Sequence, residues 1–188
     1  MTSVTISNSP FHETSRVTYP YGVIDSGYSC GYHTGIDIVA DSGTGAYIYP
    51  VFGGTVVYVN DNTSNALGVQ VQILDNNGYY WRYCHMLTNS RLVNVGDIVT
   101  QSTPIGQMDS TGNVTGPHLH LECSTTQSWQ CDTFVNPAER IGIPNEDDLI
   151  IYYSEHPIPP EPPVPIQTVN TNFPWVLLAR KLRRKRRK

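Results

Sequence analysis

The stretch Thr115–Glu122, TGPHLHLE, sets two histidines two residues apart, with leucines between and after them. Successive side chains of a β-strand point to opposite faces. Read as a strand, this stretch places His118, His120 and Glu122 on one face and Leu119, Leu121 and Cys123 on the other. The leucine face is core. The imidazole face needs a partner, and a hydrogen-bonded histidine pair satisfies that need as well as a metal ion does.

Neighbouring segments extend the strand reading. GTVVYVN (54–60), VQVQIL (69–74), YYWRYCHM (79–86), VNVGDIVT (93–100), PIGQM (104–108) and HLHLEC (118–123) are short strand signals separated by turns. DNNG (75–78) reads as a hairpin turn. In VQVQIL the alternation predicts Val69, Val71 and Ile73 inward, with Gln70 and Gln72 outward. The expected fold is all-β, mainly antiparallel, with few or no long helices.

The net charge of -4 conceals a division. Residues 1–179 carry four arginines (Arg16, Arg82, Arg91, Arg140) against all 16 acidic residues, a net of -12. The last nine residues, RKLRRKRRK, carry eight positive charges. Residues 1–15 read as a polar lead-in and 16–143 as the folded domain. Residues 144–156 form an acidic and apolar extension with a candidate edge strand. A Pro-rich spacer (157–166) and an apolar-basic tail (167–188) follow. PIPPEPPVP (157–165) spans about 28 Å as polyproline II. No stretch reaches the roughly 20 apolar residues of a membrane span, and MTSVTISNSPFHET (1–14) has no secretory pattern. The four cysteines (Cys30, Cys84, Cys123, Cys131) allow three full pairings, or simple buried thiols, and specify no redox compartment.

The remaining histidines give the imidazole face its meaning. His33 opens HTGID, with Asp37 four residues on. His85 lies in YCHM and shares a predicted strand face with Trp81 and Tyr83. A catalytic zinc site takes three ligands from His, Asp or Glu and leaves a position for water; histidines left over can move protons. Cys30-x2-His33 lacks the second Cys–His pair that a structural zinc site requires. His12 and His156 fall in segments expected to be flexible and are taken as bystanders.

The segments HTGIDIVADSGTGAYIYPVFGGTVVYV, YYWRYCHM and VNVGDIVTQSTPIGQMDSTGNVTGPHLHLE occur in one order and spacing. In this the chain resembles the lysostaphin/LytM-type zinc metallopeptidases, from about Tyr19 to about Ile143. The resemblance implies a duplicated hybrid β-motif with sheets around a central substrate groove. It also implies one zinc ion per chain, held by His33, Asp37 and His120, with His85 and His118 as the two non-ligand catalytic histidines. Spacing alone does not separate His118 from His120. Some family members use a tyrosine upstream of the first ligand; Tyr28 is the candidate here, with Tyr32 competing. Cys84 and Met86 flank His85 where the family has a small residue and leucine, and alternation predicts that Cys84 faces away from the metal. Gly112 and Gly116 of GNVTG suit a tight turn beside the site or an ordinary hairpin.

By the same resemblance, the substrate class is the peptides of bacterial peptidoglycan and the activity that of an endopeptidase. With no secretory pattern, the expected source is a bacteriophage endolysin or a virion-associated wall hydrolase. The alternative is a non-catalytic wall-binding or structural phage tail component that retains the zinc site. Residues 175–188 suit anionic membrane or wall polymers, at about 1 kcal/mol per basic residue near an anionic bilayer. Folding back onto the acidic body, or a merely solvated tail, also fits this composition. The basic run carries no specificity for nucleic acid, and no pattern specifies an oligomeric state.

Overall fold

The DNNG turn forms as expected, and its first residue organises it. Asp75 Oδ1 accepts from Asn77 N (2.8 Å) and Tyr79 N (2.9 Å), while Oδ2 accepts from the Trp81 indole (2.9 Å). Gly78 supplies the left-handed residue at φ 88°. This turn joins β6 (Val69–Asp75) to β7 (Tyr80–Met86) in the computed structural model, which describes residues 2–155. The spacer, the tail and His156 lie outside the described residues.

The other elements are β1 (Ser3–Ile6), β2 (Ser15–Tyr19), β3 (Gly35–Ala40), β4 (Tyr47–Ile48), β5 (Gly54–Asn60) and β8 (Ile98–Val99). After them come β9 (Gly106–Gln107), β10 (Leu119–Ser124), β11 (Phe134–Val135), α1 (Pro137–Ile141) and β12 (Ile150–Tyr153). One large sheet runs β1-β12-β2-β3-β10-β7-β6-β5-β8, with β11 also paired to β10; β4 and β9 make a separate two-stranded sheet. The pairings are antiparallel except β1 with β12. The architecture is therefore almost entirely β, as the strand spacing predicts. The one helix of the described residues is short, opened by the Asn136 side chain (accepting from Ala138 N at 3.0 Å) and Pro137, and closed by Gly142 at φ 80°.

The core lies on the leucine face of β10. Leu119 pairs with Ile38, and Leu121 with Ile36 on one side and Tyr83 on the other. All five are fully buried. The Tyr83 hydroxyl accepts from Val51 N at 2.9 Å, which satisfies a buried backbone donor.

Three expectations are corrected. Residues 1–15 are not a lead-in: β1 joins the sheet, Phe11 is fully buried, and His12 stacks between Tyr49 and Tyr153 (ring centroids 3.6 and 4.2 Å). The apolar run after Asn145 is a strand but not an edge, because β12 sits between β1 and β2. Gln70 and Gln72 do not face solvent. Both are buried, and Gln72 accepts from the Trp129 indole at 3.0 Å, because a later loop covers that face of β6.

Replacing Tyr83 by Phe should destabilise the fold by about 1–3 kcal/mol in chemical denaturation, since Val51 N–H is then buried without an acceptor.

Candidate metal centre

Strand register assembles the site. On β3 and β10, Asp37 lies directly opposite His120, and Gly35 opposite Glu122. Directly paired residues project from the same face of a sheet, so the two side chains meet. His33 comes from the loop before β3. Its Nδ1–H donates to Pro20 O at 2.9 Å, which leaves a lone pair on Nε2. His120 Nε2 lies 3.2 Å from Glu122 Oε1 and donates to it, so His120 Nδ1 carries the lone pair. His33 Nε2, Asp37 Oδ1 and His120 Nδ1 then converge, at separations of 3.2, 3.1 and 2.8 Å.

Three electron-rich atoms in such a triangle repel one another unless positive charge sits among them. Tetrahedral zinc ligands at about 2.0–2.2 Å from the ion stand roughly 3.3–3.6 Å from each other, so the triangle needs little opening to fit one. The donor set, two imidazoles and a carboxylate, is zinc-type. Electrostatics agree. Burial alone would raise the Asp37 pKa, but a proton or positive charge shared with the neighbouring imidazoles, His120 first, outweighs it and holds the carboxylate well below its usual range. Burial would lower that of His120, yet Glu122 and Asp37 push it up to about 9, so that where no metal ion takes the Nδ1 lone pair a proton does. The cluster draws in positive charge.

Behind the triangle lies a second set of residues that sequence reading did not single out. Glu122 is buried; it accepts from Thr34 Oγ1 at 2.6 Å and from His120, and it pairs with the Arg82 guanidinium. Gly35 makes room for this. A Cβ there would stand 2.5 Å from Leu121 O, 2.8 Å from His120 Cε1 and 2.9 Å from Glu122 Cγ. The alternation of HLHLE does put Glu122 on the imidazole face; Thr34 and Arg82 come from other segments and leave no such mark.

His118 and His85 stand beside the triangle. His118 Nδ1 donates to Gly116 O at 2.9 Å, and its Nε2 lies 3.6 Å from Asp37 Oδ1. The His85 and His118 rings are 4.9 Å apart. Burial, then the neighbouring His120, lowers the His85 pKa to about 4, so the ring is neutral near pH 7.

Simple alternation on β7 fails at this point. Trp81 and Tyr83 belong to the core face, opposite Cys123 and Leu121. His85 would follow them inward, but the β6–β7 pairing shifts between Val69 and Val71, and His85 adopts φ 59°. This bulge turns His85 towards the site. Cys84 is corrected as well: it lies opposite His120, on the site's face of the sheet, as a free and fully buried thiol. Burial raises its pKa well above the usual thiol value, so it stays protonated.

The site opens into a groove of about 550 Å³. Tyr28 lines it, its ring centroid 5.2 Å from that of His33. Tyr32 is committed elsewhere, donating to Cys131 O at 2.7 Å and packing edge-on against Tyr21. On the other side Trp129 lies under the Arg82 guanidinium, 4.1 Å from the ring centroid. A Cys30–Cys131 disulfide ties the Tyr28 loop to the Trp129 loop across 101 residues of sequence. That bond also removes Cys30 from any zinc set. Gly112, at φ 92° and packed against Ala66 O, needs to be glycine; Gly116 has open space around it.

Residues 31–133 match the model of peptidase family M23. The chain belongs to this zinc-dependent family, and His33, Asp37 and His120 can hold one metal ion. The chain is 41% identical over 90 residues to peptidoglycan DD-endopeptidase ShyC of Vibrio cholerae, a match covering 48% of this chain and 19% of that protein. It thus spans about a fifth of the length of that relative. Its fold resembles the catalytic domain of the antimicrobial peptidase lysostaphin from Staphylococcus simulans, at TM-score 0.58 and 28% identity, covering 67% of this chain and 91% of that one. It also resembles the catalytic domain of the prophage-encoded M23 protein EnpA from Enterococcus faecalis, at TM-score 0.55 and 31% identity, covering 65% and 88%.

Two outcomes follow. Glu122→Gln should weaken zinc binding about ten- to a hundredfold in chelator competition, because the partner that orients His120 loses its charge. Replacing Cys30 and Cys131 together by Ser should cost about 2–5 kcal/mol in thermal or denaturant unfolding.

Proposed function

We propose that this chain is a zinc-dependent endopeptidase that hydrolyses peptide cross-links or bridges of bacterial peptidoglycan. The observation that carries the reading is the convergence of three lone-pair atoms beside two further histidines in an open groove. The substrate class follows ShyC, whose name states that activity.

A zinc ion held by His33, Asp37 and His120 would supply a polarised water with its pKa lowered towards about 7. His118, with Nδ1–H tied to Gly116 O, keeps Nε2 free near Asp37 and takes the proton of the attacking water there. His118 then returns that proton to the leaving amine, while His85, held through Nδ1, presents its Nε2 lone pair to the same space and orients the attacking water. The Tyr28 phenol is pushed up to about 12, chiefly by burial, so it keeps its proton and donates to the developing oxyanion. Arg82 and Trp129 form the opposite wall.

Delivery as a phage-borne enzyme is supported by the likeness to EnpA, a prophage-encoded protein; detection of the chain in purified virions tests the virion-associated version. The basic run of 180–188 supports docking on anionic envelope polymers.

Purified peptidoglycan incubated with the enzyme should release free amino groups. Chelation should abolish release, and added zinc should restore it. His118→Ala should reduce it by at least about a hundredfold. Absence of release across several peptidoglycan chemotypes, with zinc bound, would replace the enzyme by a wall-binding or structural component. Deletion of residues 167–188 should lower retention on bacterial envelopes in a sedimentation assay; unchanged retention would remove the targeting role.

A further inference from the structure

The bulge that turns His85 to the site breaks the β6–β7 ladder, and one side chain occupies the break. Thr111 Oγ1 donates to Met86 O at 2.6 Å and accepts from Val69 N at 3.1 Å, the two backbone groups at the register shift. Val69 and Met86 are fully buried, so neither group has water as an alternative. The carbonyl of the same residue accepts from His85 Nδ1 at 2.8 Å. Thr111 therefore holds both the backbone distortion and the ring that the distortion aims.

Two glycines let Thr111 reach this place. A Cβ on Gly68 would lie 2.4–2.5 Å from Thr111 C, O and Oγ1. A Cβ on Gly112 would lie 2.5 Å from Ala66 O and 2.6 Å from Gly68 N. The loops 65–68 and 109–113 interlock through these gaps. They also grip the His85 backbone, whose N–H donates to Leu67 O at 3.0 Å and whose carbonyl accepts from Asp109 N at 3.2 Å. His118 N donates to Asp109 O at 3.1 Å, which joins the second histidine to the same loop.

From this geometry we infer that Thr111 is the positioning residue for His85: its hydroxyl clamps the bulge while its carbonyl holds His85 as the Nδ1–H tautomer with Nε2 towards the groove. Its effect on catalysis rests on the endopeptidase reading; its effect on the ring does not. A merely structural threonine would stabilise the fold without selecting a tautomer.

The test compares zinc-loaded wild type, Thr111→Val and Thr111→Ser, all as the full chain. Long-range nitrogen–proton NMR should find His85 as the Nδ1–H tautomer in wild type and Thr111→Ser, and a mixture in Thr111→Val. On a soluble cross-linked muropeptide, Thr111→Val should lose about ten- to a hundredfold in kcat, with KM and zinc content unchanged. Thr111→Ser, which keeps the hydroxyl, should recover most of that loss. An Nε2–H tautomer in wild type overturns the inference, and so does a Thr111→Val kcat within about twofold of wild type. Equal impairment of Ser and Val overturns it too. If Thr111→Val does not fold, the wild-type tautomer and the Ser variant decide. If wild type releases nothing, the endopeptidase reading falls, while the tautomer still judges Thr111.

Discussion

The antiparallel register of β3 against β10 is the constraint on which the site depends, because it sets Asp37 opposite His120. With those two side chains on one face of the sheet, His33 needs only to fold over from the preceding loop to complete the triangle. Its Nδ1 is fixed by Pro20 O, and its Nε2 points inward. A slip of one residue would exchange faces along the whole strand. Ile36, Ile38, Leu119 and Leu121, all fully buried on the opposite side, oppose any such slip. The hydrophobic effect that folds the domain thus also holds the donor atoms in position.

Around this rigid centre, the surroundings come from parts of the chain far apart in sequence. Glu122 orients His120 and is answered by Thr34 and Arg82. Arg82 in turn lies over Trp129, whose loop is bonded through Cys131 to the loop bearing Tyr28. One wall of the groove is therefore tied to the other covalently and linked to the donor cluster through a buried ion pair. Burying Arg82 and Glu122 unpaired would be costly, so each commits its partner's position.

The bulge at His85 shows how local sequence can mislead about where a side chain points. Period-2 reading assigns His85 to the face of Trp81 and Tyr83, which is core, and sends Cys84 away from the metal. The register does the reverse: Cys84 faces His120, and His85 reaches the groove only through a left-handed backbone residue and a break in the ladder. Glycines at 68 and 112 let the neighbouring loops close over that break. Nothing in YYWRYCHM signals an inserted residue, because the groups that stabilise the bulge belong to Thr111, some 25 residues downstream.

Short-range periodicity and residue chemistry carry a defined share of this molecule. The alternation of TGPHLHLE marks a two-faced strand with Glu122 on the imidazole side. The Asp and Gly of DNNG mark a turn, and the order of HTGID, YCHM and HLHLE brings the resemblance to a zinc peptidase family. Long-range packing sets the Cys30–Cys131 pairing, the burial of Gln70 and Gln72, the recruitment of Ser3–Ile6 into the sheet and the interior position of Ile150–Tyr153 within it. It also sets the choice between Tyr28 and Tyr32 as the one that lines the groove, and the way His85 is aimed. The physical reason is the same in each case. These features depend on pairings between segments distant in the chain, whose partners are set by sheet register and loop packing rather than by the residues next to them.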